Sequence, residues 1–159
     1  MDRIKDKKTV VPVQSGTQNP LHQVEKYDRC FVCGQENPLG LRLIFSFSNE
    51  IAGTSFTPPK SYEGYPGVLH GGFTSMLLDE AMAKACLFRG LKAVTARMQT
   101  QFRKPIPSGS KISIEGWISS RNGRRVNTQA KIISADNTIL AEAEATFIVL
   151  EEHHAQPAQ

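Results

Sequence analysis

The chain has 159 residues, 40% hydrophobic and 21% charged, with a net charge of +4 and a pI near 9.1. That length suits one domain with its own core, and the composition is that of a globular and not a disordered chain. The positive charge suits an anionic ligand but is too small to imply nucleic acid, and Arg3, Lys5, Lys7 and Lys8 supply much of it as a solvated run.

Residues 1–26 are polar, broken by Pro12 and Pro20, and read as a flexible arm. Residues 27–150 read as the folded domain and residues 151–159, which include His153 and His154, as a disordered tail. The N-terminus lacks the apolar stretch of a signal peptide. No segment reaches the roughly 18 apolar residues of a membrane span, so a cytoplasmic protein without membrane contact is expected.

Cys30 and Cys33 form a CxxC pair. A zinc site needs about four ligands and no second pair exists. His22 and His70 have no support as partners, so a packed loop of reduced thiols and no metal is expected. Cys86, in an apolar stretch, is expected to be a small core residue.

Leu41 to Ser48 alternates and predicts a strand, with Ile51 to Phe56 as its hairpin partner across Ser48-Asn49-Glu50. Residues 57–69 carry Pro58, Pro59, Gly64, Pro66 and Gly67 and read as a loop. A helix is expected from Gly71 to Arg89, stopped by Gly90. Four strands follow. Val94 to Phe102 puts Thr95 on a polar side with Arg97, Gln99 and Gln101. Lys111 to Ser119 and Val126 to Ile133 flank the Arg121-Asn122-Gly123 turn, and Ile139 to Leu150 alternates through Ala141, Ala143 and Ala145. The fold class is α+β: an antiparallel sheet around one long central helix, whose small residues on the last strand let the helix lie close. One helix covers one face only, so self-association is expected.

The helix is apolar on most faces yet carries adjacent carboxylates, Asp79 and Glu80. A buried charge is costly unless it is paired or has a task. Gly71 and Gly72 open the helix, where backbone N–H groups lack intrahelical partners and the dipole favours an anion. Glycine also lets a ligand approach closely, as an oxyanion hole requires. Asp79 suits a base or nucleophile, while Glu80, about 100° away around the helix, reads as structural or rim. Eight residues of helix separate Gly71 from Asp79, about 12 Å. One carbonyl cannot touch both, so donor and acid are expected from different subunits.

These motifs resemble hotdog-fold acyl-CoA thioesterases of the phenylacetate-degradation and 4-hydroxybenzoyl-CoA type. The matching strings are Cys30-Phe-Val-Cys33-Gly34, Asn37-Pro38-Leu39-Gly40-Leu41, Tyr65-Pro66-Gly67-Val68-Leu69-His70-Gly71-Gly72, Leu77-Leu78-Asp79-Glu80, Val94-Thr95-Ala96 and Phe102-Arg103-Lys104-Pro105. The resemblance implies hydrolysis of an acyl-CoA without metal or redox cofactor, in a homodimer or a dimer of dimers with sites across the interface. It implies that Asp79 activates water or attacks the thioester, and that Thr95 helps hold the water. His70 either polarises the carbonyl or braces the loop. Some relatives carry Asn six residues before that His, where this chain has Gly64. Arg103, Lys104, Arg121, Arg124 and Arg125 are candidates for the phosphates of coenzyme A. Two other readings stay open: a hotdog dehydratase or hydratase on acyl thioesters, and a non-catalytic acyl-CoA-binding module.

Overall fold

Six strands, one long helix and a short 3-10 turn at Lys60–Tyr62 make up the regular structure of residues 27–152, the part of the chain that the computed structural model describes. The expectations for residues 1–26, His22, His153 and His154 lie outside it. In chain order the elements are β1 (Ser46–Ser48), β2 (Ile51–Phe56), α1 (Gly71–Phe88), β3 (Leu91–Phe102), β4 (Ile112–Asn122), β5 (Arg125–Ser134) and β6 (Ile139–Glu152). One antiparallel sheet, ordered β1-β2-β4-β5-β6-β3, packs against α1. This is the α+β architecture, two strands, a helix and four strands, that the alternation predicts.

The core lies between α1 and the sheet. Leu77, Leu78, Ala81 and Met82 of the helix are fully buried against Ile114, Val126, Ile132 and Phe147. Ala141, Ala143 and Ala145 are buried on β6, as their spacing predicts. A close approach also occurs at Gly116 on β4. A Cβ there would sit 2.5 Å from the carbonyl of Ala81, so α1 rests directly on the β4 backbone. The helix ends with Gly90 at φ 75°, where glycine closes the last turn without steric cost.

Several boundaries differ from the expected ones. Only three residues of the predicted 41–48 strand join the sheet. Arg42 has φ 52°, which breaks extended pairing. The Leu41 and Leu43 N–H groups donate instead to the carbonyls of Phe31 and Val32, tying this stretch to the cysteine loop. Asn49 and Glu50 turn the β1–β2 hairpin with φ 50° and 67°, the positive pair a two-residue turn needs. Between β4 and β5, Asn122 pairs with Arg125. The turn is therefore Gly123-Arg124, one residue later than Asn-Gly suggests, with Gly123 at φ 56° in its first central position. β6 continues to Glu152, two residues past the predicted end.

β3 is an edge strand of 12 residues, with Val94 and Phe102 exposed. Its ladder with β6 is interrupted: Thr95 pairs with Phe147 and Arg97 with Thr146, leaving Ala96 as an inserted bulge residue.

Candidate active site

The bulge decides where Thr95 points. In regular alternation Thr95 shares a face with Arg97, Gln99 and Gln101, as the sequence predicts. With Ala96 inserted, Thr95 opposes the buried Phe147 while Arg97 opposes Thr146 on the other face. Thr95 therefore faces the helix, and its hydroxyl donates to Asp79 Oδ1 at 2.7 Å. Asp79 is half-buried, on the α1 face next to the open β3 edge. The sheet's other face carries a polar concavity lined by Arg97, Gln99, Asn127, Gln129, Glu144 and Thr146, away from Asp79.

At the helix start, His70 is the N-cap. Its Nδ1 accepts the Gly72 N–H at 2.9 Å and its carbonyl accepts the Thr74 N–H at 3.1 Å. A neutral imidazole bonded this way carries its proton on Nε2. Among the described residues, no acceptor meets the Gly71 or Phe73 N–H. The two glycines thus differ: Gly72 is engaged by the cap, and Gly71 has its N–H to offer. A Cβ at Gly71 would meet only the Phe102 ring at 3.5 Å, an ordinary contact. Packing within the chain leaves room there for a side chain. At Gly64, by contrast, a Cβ would lie 3.0 Å from His70 Cδ2, so the imidazole occupies the space that a larger residue would need.

Glu80 turns away from Asp79 to the cysteine loop. Its oxygens lie 3.9 and 4.0 Å from Cys30 Sγ, and Lys84, one turn on and buried, is 3.6 Å from Oε1. All three cysteines are free. Burial, then the neighbouring Glu80 charge, pushes the Cys33 thiol up to about 12. Burial alone does the same for Cys86, a core residue as expected.

The five basic candidates do not form one cluster. Arg103 is paired with Glu142 at 2.8 Å, and Arg121 holds Glu152 through two bonds of 2.8 and 3.0 Å. Arg124 Nε donates to the Val149 carbonyl. Lys104 and Arg125 are exposed. Arg103 follows the β3 end opposite Ala141, whereas Arg125 opposes Ile148, seven residues along β6. At about 3.3 Å per residue that is roughly 23 Å, too far for both groups to hold one phosphate from the same chain. Phe102, which the sequence places in a strand and in a matching string but without a role, is exposed with its ring beside Gly71. Its place at the end of an alternating strand was the available signal.

Residues 66–141 match the family model of the thioesterase superfamily. The acyl-coenzyme A thioesterase THEM4 of Xenopus laevis is 32% identical over 96 residues, 60% of this chain and 43% of that protein. The Bos taurus THEM4 is 28% identical over 76% of this chain and 51% of its own. The chain thus spans about half the length of the curated relatives it matches. A crystal structure of a thioesterase superfamily protein superposes with a TM-score of 0.74 at 25% identity, covering 86% of this chain and 68% of that one. A Streptococcus mutans protein solved bound to acetyl CoA shares the fold, with a TM-score of 0.66 at 18% identity over 70% of this chain and 91% of its own. Strand order and central helix are those of the hotdog fold, and residues 66–141 carry the chain's similarity to the thioesterase superfamily.

Proposed function

We propose that the protein hydrolyses an acyl-CoA thioester to a free carboxylic acid and coenzyme A. The observation that carries this reading is the 2.7 Å bond from Thr95 to Asp79. It aims a carboxylate at the open edge of the sheet, where the bulge has turned a hydroxyl to meet it. Water adds to the thioester carbonyl as Asp79 takes its proton, the C–S bond breaks, and the proton passes to the departing thiolate. A direct carboxylate attack with hydrolysis of the resulting anhydride uses the same geometry. The Gly71 N–H, at the positive end of α1, stabilises the developing oxyanion. His70 acts as a brace, holding the Gly72 N–H.

Donor and acid are about 12 Å apart along one helix, so the site is completed by a second copy. The exposed β3 edge supports this. β3 runs beside α1 with Phe102 against Gly71 and Thr95 against Asp79. Antiparallel pairing of two β3 edges about a twofold axis between Met98 and Gln99 sets Phe102 of one chain opposite the partner's Thr95. The Gly71 end of each helix then meets the Asp79 of the other.

The test is thiol release from a panel of acyl-CoAs by wild type, Asp79→Asn and Gly71→Val. Each variant alone is expected to lose at least about a hundredfold in kcat. Their mixture is expected to recover about a quarter of wild-type activity, because half the dimers are mixed and each holds one intact site. Full activity in Asp79→Asn refutes the role of the acid, and no recovery on mixing refutes the shared site.

A further inference from the structure

Cys30, Cys33 and Glu80 take no part in the chemistry above, yet each offers a donor atom, and these atoms all lie within 4.8 Å of one another. The CxxC spacing alone is two ligands short of a zinc site. The fold adds a third from 50 residues away, a carboxylate on the same helix turn as Asp79. We propose that this cluster is a binding site for a single thiophilic divalent cation, zinc above all, which pins the cysteine loop to α1.

The loop is built for such a role. The Gly34 N–H donates to the Cys30 carbonyl at 2.9 Å, closing the CxxCG turn. A Cβ at Gly34 would strike the Cys30 N and O and the Asp28 carbonyl at 2.5 Å, so only glycine permits this fold-back. The turn sets both thiols on the helix side. Tetrahedral zinc, with bonds of about 2.3 Å to sulfur and about 2.0 Å to oxygen, spaces its donors roughly 3.5–3.8 Å apart. Cys30 and Glu80 at 3.9–4.0 Å need to close by only a few tenths of an ångström. Three protein donors leave a fourth position for water.

Charge favours the same assignment. Two thiolates and a carboxylate carry three negative charges, and a dication leaves one. The buried Lys84 ammonium, 3.6 Å from Glu80, balances it. Without the metal, Lys84 and Glu80 already form an ion pair beside the two cysteines. Binding therefore exchanges two S–H protons for one dication and keeps the cluster neutral.

The experiment is titration of the reduced, metal-stripped full chain with Co²⁺ and then Zn²⁺, for wild type, Cys30→Ser, Cys33→Ser and Glu80→Gln. Wild type is expected to take up one Co²⁺ per chain with a near-ultraviolet thiolate-to-cobalt band, which one equivalent of Zn²⁺ abolishes. Each serine variant should lose about half of the band per bound cobalt and at least tenfold in affinity. Glu80→Gln should keep both sulfurs but shift the visible cobalt bands. Circular dichroism checks that the variants are folded, and Asp79→Asn should bind metal as wild type does, which separates this site from the catalytic reading. Stoichiometric uptake unchanged in both serine variants, or no thiolate band at micromolar protein, overturns the proposal. So does a Cys30–Cys33 disulfide that persists under reductant.

Discussion

Replacing Thr95 by valine keeps the branched shape at Cβ and removes one oxygen. That oxygen donates to Asp79 at 2.7 Å, a short charge-assisted bond. Hydrogen bonds to charged groups contribute about 1.5–3 kcal/mol. In the single chain Thr95 is exposed and Asp79 half-buried, so water competes for the carboxylate and the lower end applies. About 1.5 kcal/mol held only when Asp79 is aimed at the reacting atoms corresponds to roughly a tenfold fall in kcat. With the loss confined to the aim of Asp79, KM should stay within about twofold. Thr95→Ser restores the donor and should recover most of the rate. The assay is steady-state thiol release at saturating acyl-CoA, with oligomeric state checked by light scattering. If Thr95→Val is as fast as wild type, the bulge does not serve the acid. If the serine variant is as slow as the valine variant, packing and not the hydroxyl is what Thr95 supplies.

Two further outcomes follow from packing. Gly116→Ala places a methyl 2.5 Å from the Ala81 carbonyl, about 1 Å inside normal contact, so α1 must lift from β4. Overpacking of this kind costs about 1–3 kcal/mol, read as a lower denaturation midpoint, and moving α1 should lower activity as well; an unchanged midpoint would contradict the close approach. Cys86 is fully buried and its thiol is pushed up to about 12, so iodoacetamide at pH 8 should spare it in the native protein and modify it only after unfolding. Because the native state keeps a proton that the unfolded state loses, Cys86 should make stability fall as pH rises from about 9 towards 12, a slope that Cys86→Ala should lessen.

The architecture was legible because its signals are local. Period-two alternation marks β6, the Asn122-Gly123 signal marks the β4–β5 hairpin, an apolar run between Gly71 and Gly90 marks α1, and Asn49-Glu50 marks a tight turn. The features that shape the site are not local. Ala96 has no composition that announces a bulge, since the insertion is set by how β3 registers on β6. Sequence could name Thr95 but not its face. Arg42 at positive φ truncates β1 because the cysteine loop claims the neighbouring N–H groups, a contact ten residues away. Arg103 and Arg121 read as free cations until Glu142 and Glu152 arrive from β6. The glycine pair read as one feature until the His70 side chain took one of its two N–H groups.

α1 serves three neighbours from successive faces, and this links the cysteine loop to the chemistry. Leu77, Leu78 and Ala81 face the core, Asp79 faces the β3 edge, and Glu80, about 100° further round, faces Cys30 and Lys84. Core packing and the Glu80 contact both act on the rotation of the helix about its axis. A rotation of 20° carries a carboxylate about 6 Å from the axis through roughly 2 Å, enough to break a hydrogen bond. Glu80 is placed to resist that rotation. Its contact with the loop, through the Cys30 thiol or through a bound metal, helps set the direction in which Asp79 points. Mutations in the loop should therefore reach catalysis through the orientation of α1, lowering kcat while leaving substrate affinity in place.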